Sequence, residues 1–164
     1  MAMVKGRVRK FGNNVDTDAI TPGAILHLPQ EEMVKYAFGP LAKEFYKTVQ
    51  PGDIIVAGNN YGCGSSREPA TTVVKLMGFS YIVCDSMARI YFRNCVAIGV
   101  YPIMAKGVSA IFEEADPIEI DLEKGEVRNP KTGRSVRFNP LSGTPKDILD
   151  GGGILKRLKQ IREG

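Results

Sequence analysis

Cysteine is scarce in this chain. Cys63, Cys84 and Cys95 are the only three among 164 residues, and no pair has Cys-x-x-Cys spacing. That pattern argues against a disulfide framework and against a zinc or iron–sulfur site built from this chain alone, so no metal ligands are assigned to it. Histidine is scarcer still, with His27 alone. No apolar run approaches the roughly 18 residues of a membrane-spanning helix, and Met1-Ala-Met-Val-Lys5 lacks a signal-peptide pattern, which predicts a cytoplasmic protein. The basic residues form no long stripe with interleaved aromatics. The net charge of +4 therefore fits an anionic small substrate or an acidic partner better than nucleic acid. One basic cluster, Lys156, Arg157, Lys159 and Arg162, reads as the solvated face of a C-terminal helix. Repeats and low-complexity segments are also missing. What remains has an ordinary globular composition, 43% hydrophobic and 24% charged, long enough to bury a core as one domain, with or without a tail.

Hydrophobic periodicity divides the chain in two. Met3 to Phe11 predicts a strand, Gly12-Asn13-Asn14 a turn, and residues 30–48 a helix with a break near Gly39-Pro40. Asp53-Ile-Ile-Val-Ala57 is an apolar strand. Ala70, Val73, Val74 and Met77 then recur at helical spacing, with Pro69 in the first turn and Gly78 as the stop. Tyr81–Cys84 reads as a buried strand. Ser86 is read as the cap of a second helix carrying Met87, Ile90, Tyr91, Asn94 and Ile98, closed by Gly99 and followed by strand 100–104. This β-α-β-α-β order predicts a parallel sheet segment flanked by helices. From residue 116 onward, short alternating strands at 117–122, 126–128 and 134–138, with a turn at Asn129–Gly133, predict an antiparallel section before a last helix at 154–161.

The most informative stretch lies between the strand at 53–57 and the helix that follows it: Gly58-Asn-Asn-Tyr-Gly62-Cys63-Gly64-Ser65-Ser66-Arg67-Glu68. Gly62 and Gly64 permit positive-φ turns and close approach of the backbone to a ligand. A helix start offers free N–H groups and partial positive charge, and Arg67 adds a planar fork suited to carboxylate. The predicted chemistry is anion recognition beside a hydroxyl. From spacing alone, Ser65 and Ser66 are better explained as helix caps than as catalytic groups.

Three ordered motifs carry a resemblance over nearly the whole chain. Val15-Asp16-Thr17-Asp18-Ala-Ile-Thr21-Pro22, Gly62-Cys63-Gly64-Ser65-Ser66-Arg67-Glu68, and Ser86-Met87-Ala88-Arg89-Ile-Tyr-Phe92-Arg93-Asn94 resemble the small subunits of 3-isopropylmalate dehydratase (isopropylmalate isomerase). Those subunits are similar to the swivelling C-terminal domain of aconitase. The resemblance implies an α/β fold, a swivelling β/β/α domain with a mixed, partly parallel sheet, spanning residues 1–164 as a single domain. It implies a large-subunit partner that carries the [4Fe–4S] cluster, which is not on this chain. It also implies a hydro-lyase reaction that isomerises 2- and 3-isopropylmalate by dehydration and rehydration in leucine biosynthesis, active only with that large subunit.

By the same resemblance, Ser65 is the base that takes a proton from the carbon beside a carboxylate, and Ser66, Arg67 and Gly64 bind substrate. Asp16, Thr17, Asp18 and Thr21 form a supporting loop, with Asp18 acting on the serine environment. Ile25, Leu26, His27 and Leu28 form the loop that faces the variable group of the substrate. Its apolar members suit a branched alkyl group, whereas His27 can meet a carboxylate when protonated. The alternatives are a homoaconitase or a citramalate/dimethylmalate-type dehydratase subunit and, in a different class, a non-catalytic carboxylate- or phosphate-binding module. Glu68 is assigned a structural role, orienting Arg67, and Arg89 and Arg93 are also taken as structural.

Overall fold

A computed structural model describes residues 3–65 and 67–163. In chain order the elements are β1 (Met3–Lys10), α1 (Thr17–Ile20), α2 (Gln30–Met33), β2 (Asp53–Ala57), α3 (Pro69–Leu76), β3 (Tyr81–Cys84), α4 (Arg89–Ile98), β4 (Tyr101–Met104), β5 (Pro117–Asp121), β6 (Glu126–Arg128), β7 (Ser135–Arg137), α5 (Gly143–Asp150) and α6 (Ile154–Glu163). The seven strands form one sheet in the order β4-β3-β2-β1-β5-β6-β7. Strands β1 to β4 pair in parallel, and β5 to β7 continue the sheet antiparallel from β1. The predicted mixed sheet is therefore present, with its parallel part where the β-α-β-α-β reading put it.

All five residues of β2 are buried, as expected of a central parallel strand covered on both faces. Ile55 and Ala57 point to a core shared with Ile82, Val73, Val74, Tyr91 and Cys95, beneath α3 and α4. Ile54 and Val56 point to the other face, where Val8, Ile103, Ile118, Ile120 and Val127 pack with the short 3-10 turn Val108–Ile111.

At the amino end of β2, Asp53 is held by three cationic or N–H donors. Arg7, its partner in the β1–β2 register, donates from Nε and Nη2 at 2.8 and 2.7 Å. Arg9 donates at 3.3 Å and the Gln50 N–H at 2.9 Å. Burial alone would raise the Asp53 pKa, but hydrogen bonds from Arg7, Gln50 and Arg9 outweigh it and hold the carboxyl below its ordinary value.

Two expectations are corrected. Residues 30–48 are not one helix: α2 ends at Met33, and a separate 3-10 turn spans Phe45–Thr48. Phe38 and Glu44 adopt left-handed φ values of 59° and 53°. These turns sink Phe38 into an aromatic group with Phe11 and Phe45, at centroid distances of 4.8 and 5.2 Å. Aromatic burial here overrides a helical repeat that has Gly39-Pro40 in its middle. Ser86 does not cap α4, which begins at Arg89 after an extended Ala88. Instead its hydroxyl accepts the Asn60 N–H at 2.8 Å. Helix α5 was not anticipated, because only Leu149 of its residues is buried and no apolar stripe marks it. Among the described residues no helix is long and apolar enough to cross a membrane.

Candidate active site at the carboxyl end of the parallel strands

Beyond the carboxyl end of β2, three loop segments run together as a small extension of the sheet. Gly58 N–H donates to the Gly12 carbonyl, Gly62 N–H to Val15 and Thr17 N–H to Cys63, at 3.0, 2.7 and 2.8 Å. On the other side, Tyr61 N–H donates to Ser86 at 3.0 Å and Ala88 N–H to Tyr61 at 2.9 Å. Bridges Asp16↔Cys63 and Tyr61↔Met87 mark the two seams. The Asp-Thr-Asp loop, the glycine loop and the start of α4 are thus one backbone-bonded unit. Ligands of open α/β sheets bind at this strand end.

Two glycines set the path of the middle segment. Gly62 has φ +77°, and a Cβ there would lie 2.3 Å from Cγ of the Tyr91 ring. That ring cannot give way, because its hydroxyl donates to the Ala70 carbonyl at 2.8 Å and it is edge-on to Tyr61. Replacing Gly62 with alanine is expected to cost about 3 kcal/mol, from overpacking together with a strained positive φ. A urea-unfolding midpoint unchanged from the wild type would refute this reading of the turn. Gly64, at φ +101°, brings its backbone so close to Thr17 that a Cβ would sit 3.2 Å from Oγ1.

Ser65 follows on the surface of this unit. Thr17, almost fully buried, donates from Oγ1 to the Ser65 carbonyl at 3.0 Å and lies 3.5 Å from Ser65 Oγ. No carboxylate or imidazole hydrogen-bonds Ser65 Oγ among the described residues. The helix-cap explanation of Ser65 is overturned, since α3 starts at Pro69 with Glu68 in the cap position. Ser66 lies outside the described residues.

Arg67 Nη1 donates to Asp18 Oδ1 and to the Thr21 carbonyl, both at 3.1 Å. Asp18 also accepts the Gly23 N–H at 2.9 Å. That backbone hydrogen bond first, and the Arg67 guanidinium second, hold the Asp18 carboxyl below its ordinary value. Asp18 therefore steadies Arg67 and not Ser65, and it takes the orienting part that the sequence reading gave to Glu68. Asp16 caps α1 by accepting the Ala19 N–H at 2.7 Å, and Thr21 Oγ1 bonds back to the Thr17 carbonyl at 3.2 Å.

A cavity of about 290 Å³ opens over this unit, at the small end of the range for ligand sites. Thr17, Gly64, Ser65 and Arg67 line one side; Arg89, Ile90, Tyr91 and Asn94 of α4 line the other. Sequence spacing marks these α4 residues only as helix-forming or structural; their place within the third motif is the signal that points to a site. The loop at 25–28 is not part of this lining. Ile25 and Leu28 pack partly against the core, and Leu26 and His27 are exposed. The loop nevertheless starts beside the site, since a Cβ on Gly23 would lie 3.8 Å from Arg67 Nη2.

The thiols differ in setting. Cys84 and Cys95 are buried, and burial pushes the Cys84 thiol up to about 12 and raises that of Cys95 as well. Cys63 is half-buried in the glycine loop. Among the described residues no three His, Cys, Asp or Glu side chains converge as metal ligands.

Comparison with known proteins extends the likeness from site to chain. Residues 7–107 match the family model described as the aconitase C-terminal domain. A 3-isopropylmalate dehydratase small subunit 1 from Thermotoga maritima is 45% identical over 160 residues, covering 96% of each chain. An isopropylmalate/citramalate isomerase small subunit from Methanocaldococcus jannaschii is 43% identical over 160 residues, covering 97% of this chain and 95% of its own. The crystal structure of a 3-isopropylmalate dehydratase from Methanocaldococcus jannaschii superposes with a TM-score of 0.91 at 37% identity, covering 98% of this chain and 96% of that one. The family match spans all three bonded loop segments and the shared backbone continues through the antiparallel strands, so the chain belongs to the aconitase C-terminal domain family.

Proposed function

We propose that this chain, as a single swivel domain, is the small subunit of an iron–sulfur hydro-lyase that interconverts 2- and 3-isopropylmalate in leucine biosynthesis, in the cytoplasm. The observation that carries this reading is the pairing, in one small cavity, of the Ser65 hydroxyl with an arginine already oriented by Asp18 and the Thr21 carbonyl. The names of the relatives support the substrate class.

A [4Fe–4S] cluster does not fit this chain's own donors, because two of the three thiols are buried with raised pKa values and no three potential ligands converge among the described residues. The cluster is therefore assigned to the large subunit, and the steps assigned here use this chain alone. Arg67 and the N–H groups of the glycine loop, including Gly64, hold a substrate carboxylate. Ser65, as its alkoxide, accepts the proton from the carbon beside that carboxylate and becomes the hydroxyl. A serine alkoxide needs nearby positive charge, which Arg67 supplies. Ser66 is assigned to the same carboxylate. The loop that leaves Gly23 beside Arg67 carries the half-buried apolar residues Ile25 and Leu28, which suit a branched alkyl group, and the exposed Leu26 and His27.

A citramalate-type specificity is the second reading, favoured by the double name of one relative. The experiment is reconstitution with a cluster-bearing large subunit, followed by assay with isopropylmalate, citramalate and homoaconitate. The complex should act best on isopropylmalate, and this chain alone should be inert. Turnover by the chain alone, or none by the complex on any of the three acids, would sink the proposal.

A further inference from the structure

We propose that Arg89 is the second arm of a guanidinium clamp that, with Arg67, holds the substrate carboxylate next to the carbon that loses its proton. The inference rests on the proposed function for the identity of that carboxylate, but its geometry belongs to this chain. Arg67 and Arg89 lie in the lining of the same small cavity, and none of the lining residues is acidic. Their commitments differ. Arg67 is bonded to Asp18 and to the Thr21 carbonyl, whereas Arg89 has no hydrogen bond or ion pair among the described residues. Asp18 takes up part of the donor capacity of Arg67, whereas the Arg89 guanidinium has all of its donors available for a carboxylate.

The position of Arg89 is also costly unless an anion is nearby. It is the first residue of α4, where the helix dipole disfavours a cation, and the Ala88 cap has no side-chain hydrogen bond to offset it. Local helix energetics would place an acid here. An arginine that lines a cavity is suited to a carboxylate, and a bidentate fork cannot be replaced by lysine without loss. Arg93, one turn further along α4, is exposed but does not line the cavity, so it serves as an internal control.

The test has two readouts. In the reconstituted complex, Arg89→Gln should raise KM by about 10- to 100-fold, the loss expected when a charged hydrogen-bond donor is removed, with kcat changed far less. Arg89→Lys should recover part of that loss, and Arg93→Gln should match the wild type. Independently of any cluster, amide NMR shifts at Gly62 and Gly64 should report succinate binding to this chain, weakened about 10-fold by Arg89→Gln. Urea unfolding should show no loss of stability in the variant, since the side chain is exposed and its charge opposes the helix dipole. The clamp is overturned if Arg89→Gln leaves KM and succinate affinity within twofold of wild type. It is likewise overturned if only kcat falls, or if succinate gives no shifts in the wild-type chain. An inactive wild-type complex would count against the proposed function, while the succinate titration would still decide the clamp.

Discussion

Replacing Ser65 with alanine lowers kcat of the two-subunit complex by about three orders of magnitude or more and leaves KM within a few-fold, because it removes a proton acceptor while leaving the carboxylate site intact. Arg67 and its anchors Asp18 and Thr21 do not depend on the serine hydroxyl. The Thr17 hydroxyl bonds the Ser65 carbonyl, which alanine retains, so the loop should keep its path. Unfolding midpoints and succinate-induced shifts should therefore match the wild type. The substitution also separates the two classes of function. A module that only binds anions has no turnover to lose, and its affinity would survive. If the variant complex kept kcat within tenfold of wild type, Ser65 would not be the base, whatever the family of the chain.

The second large effect concerns stability. Asp53→Ala should destabilise the fold by about 3 kcal/mol, since two arginines and the Gln50 N–H lose a shared buried acceptor. The Asp53 side chain is only 1% exposed and that of Arg9 10%, so water cannot easily replace the lost partner. Arg9 also lies over the Phe45 ring, 4.5 Å from its centroid, and pairs with Glu114 at 3.1 Å, so it is held in place when the Asp53 carboxylate is removed. A urea midpoint shift of that size with an unchanged m-value would be the signature, and a shift below about 1 kcal/mol would contradict it. The same network predicts acid sensitivity. Its folded pKa is depressed, so the Asp53 contribution is fully present above the ordinary carboxyl value near 4 and is lost as pH falls through the lower folded value. Because Asp53 sits at the amino end of β2 and the cavity at its carboxyl end, the folded fraction should keep its catalytic constants.

These two sites show where local pattern suffices and where it fails. The apolar run 53–57, the repeat through Ala70, Val73, Val74 and Met77, and the stops at Gly78 and Gly99 dictate β2, α3 and the end of α4, because burial and periodicity act over a few residues. The motif residues themselves, Ser65 and Arg67 above all, were legible as types suited to anion chemistry. Folding supplied what no local repeat contains. Arg67 meets Asp18 across 49 residues of chain, and Ser86 meets Asn60 across 26. The same long-range contacts overrode two local readings. Phe38 left a helical pattern for an aromatic core, and Ser86 left a capping role to bind the glycine loop. Arg89 looks structural in sequence because its value depends on sharing a cavity with Arg67. Backbone hydrogen bonds between distant segments and the charge balance of a cavity are properties of assembled chain, so they exist only once β1, β2 and β3 lie side by side.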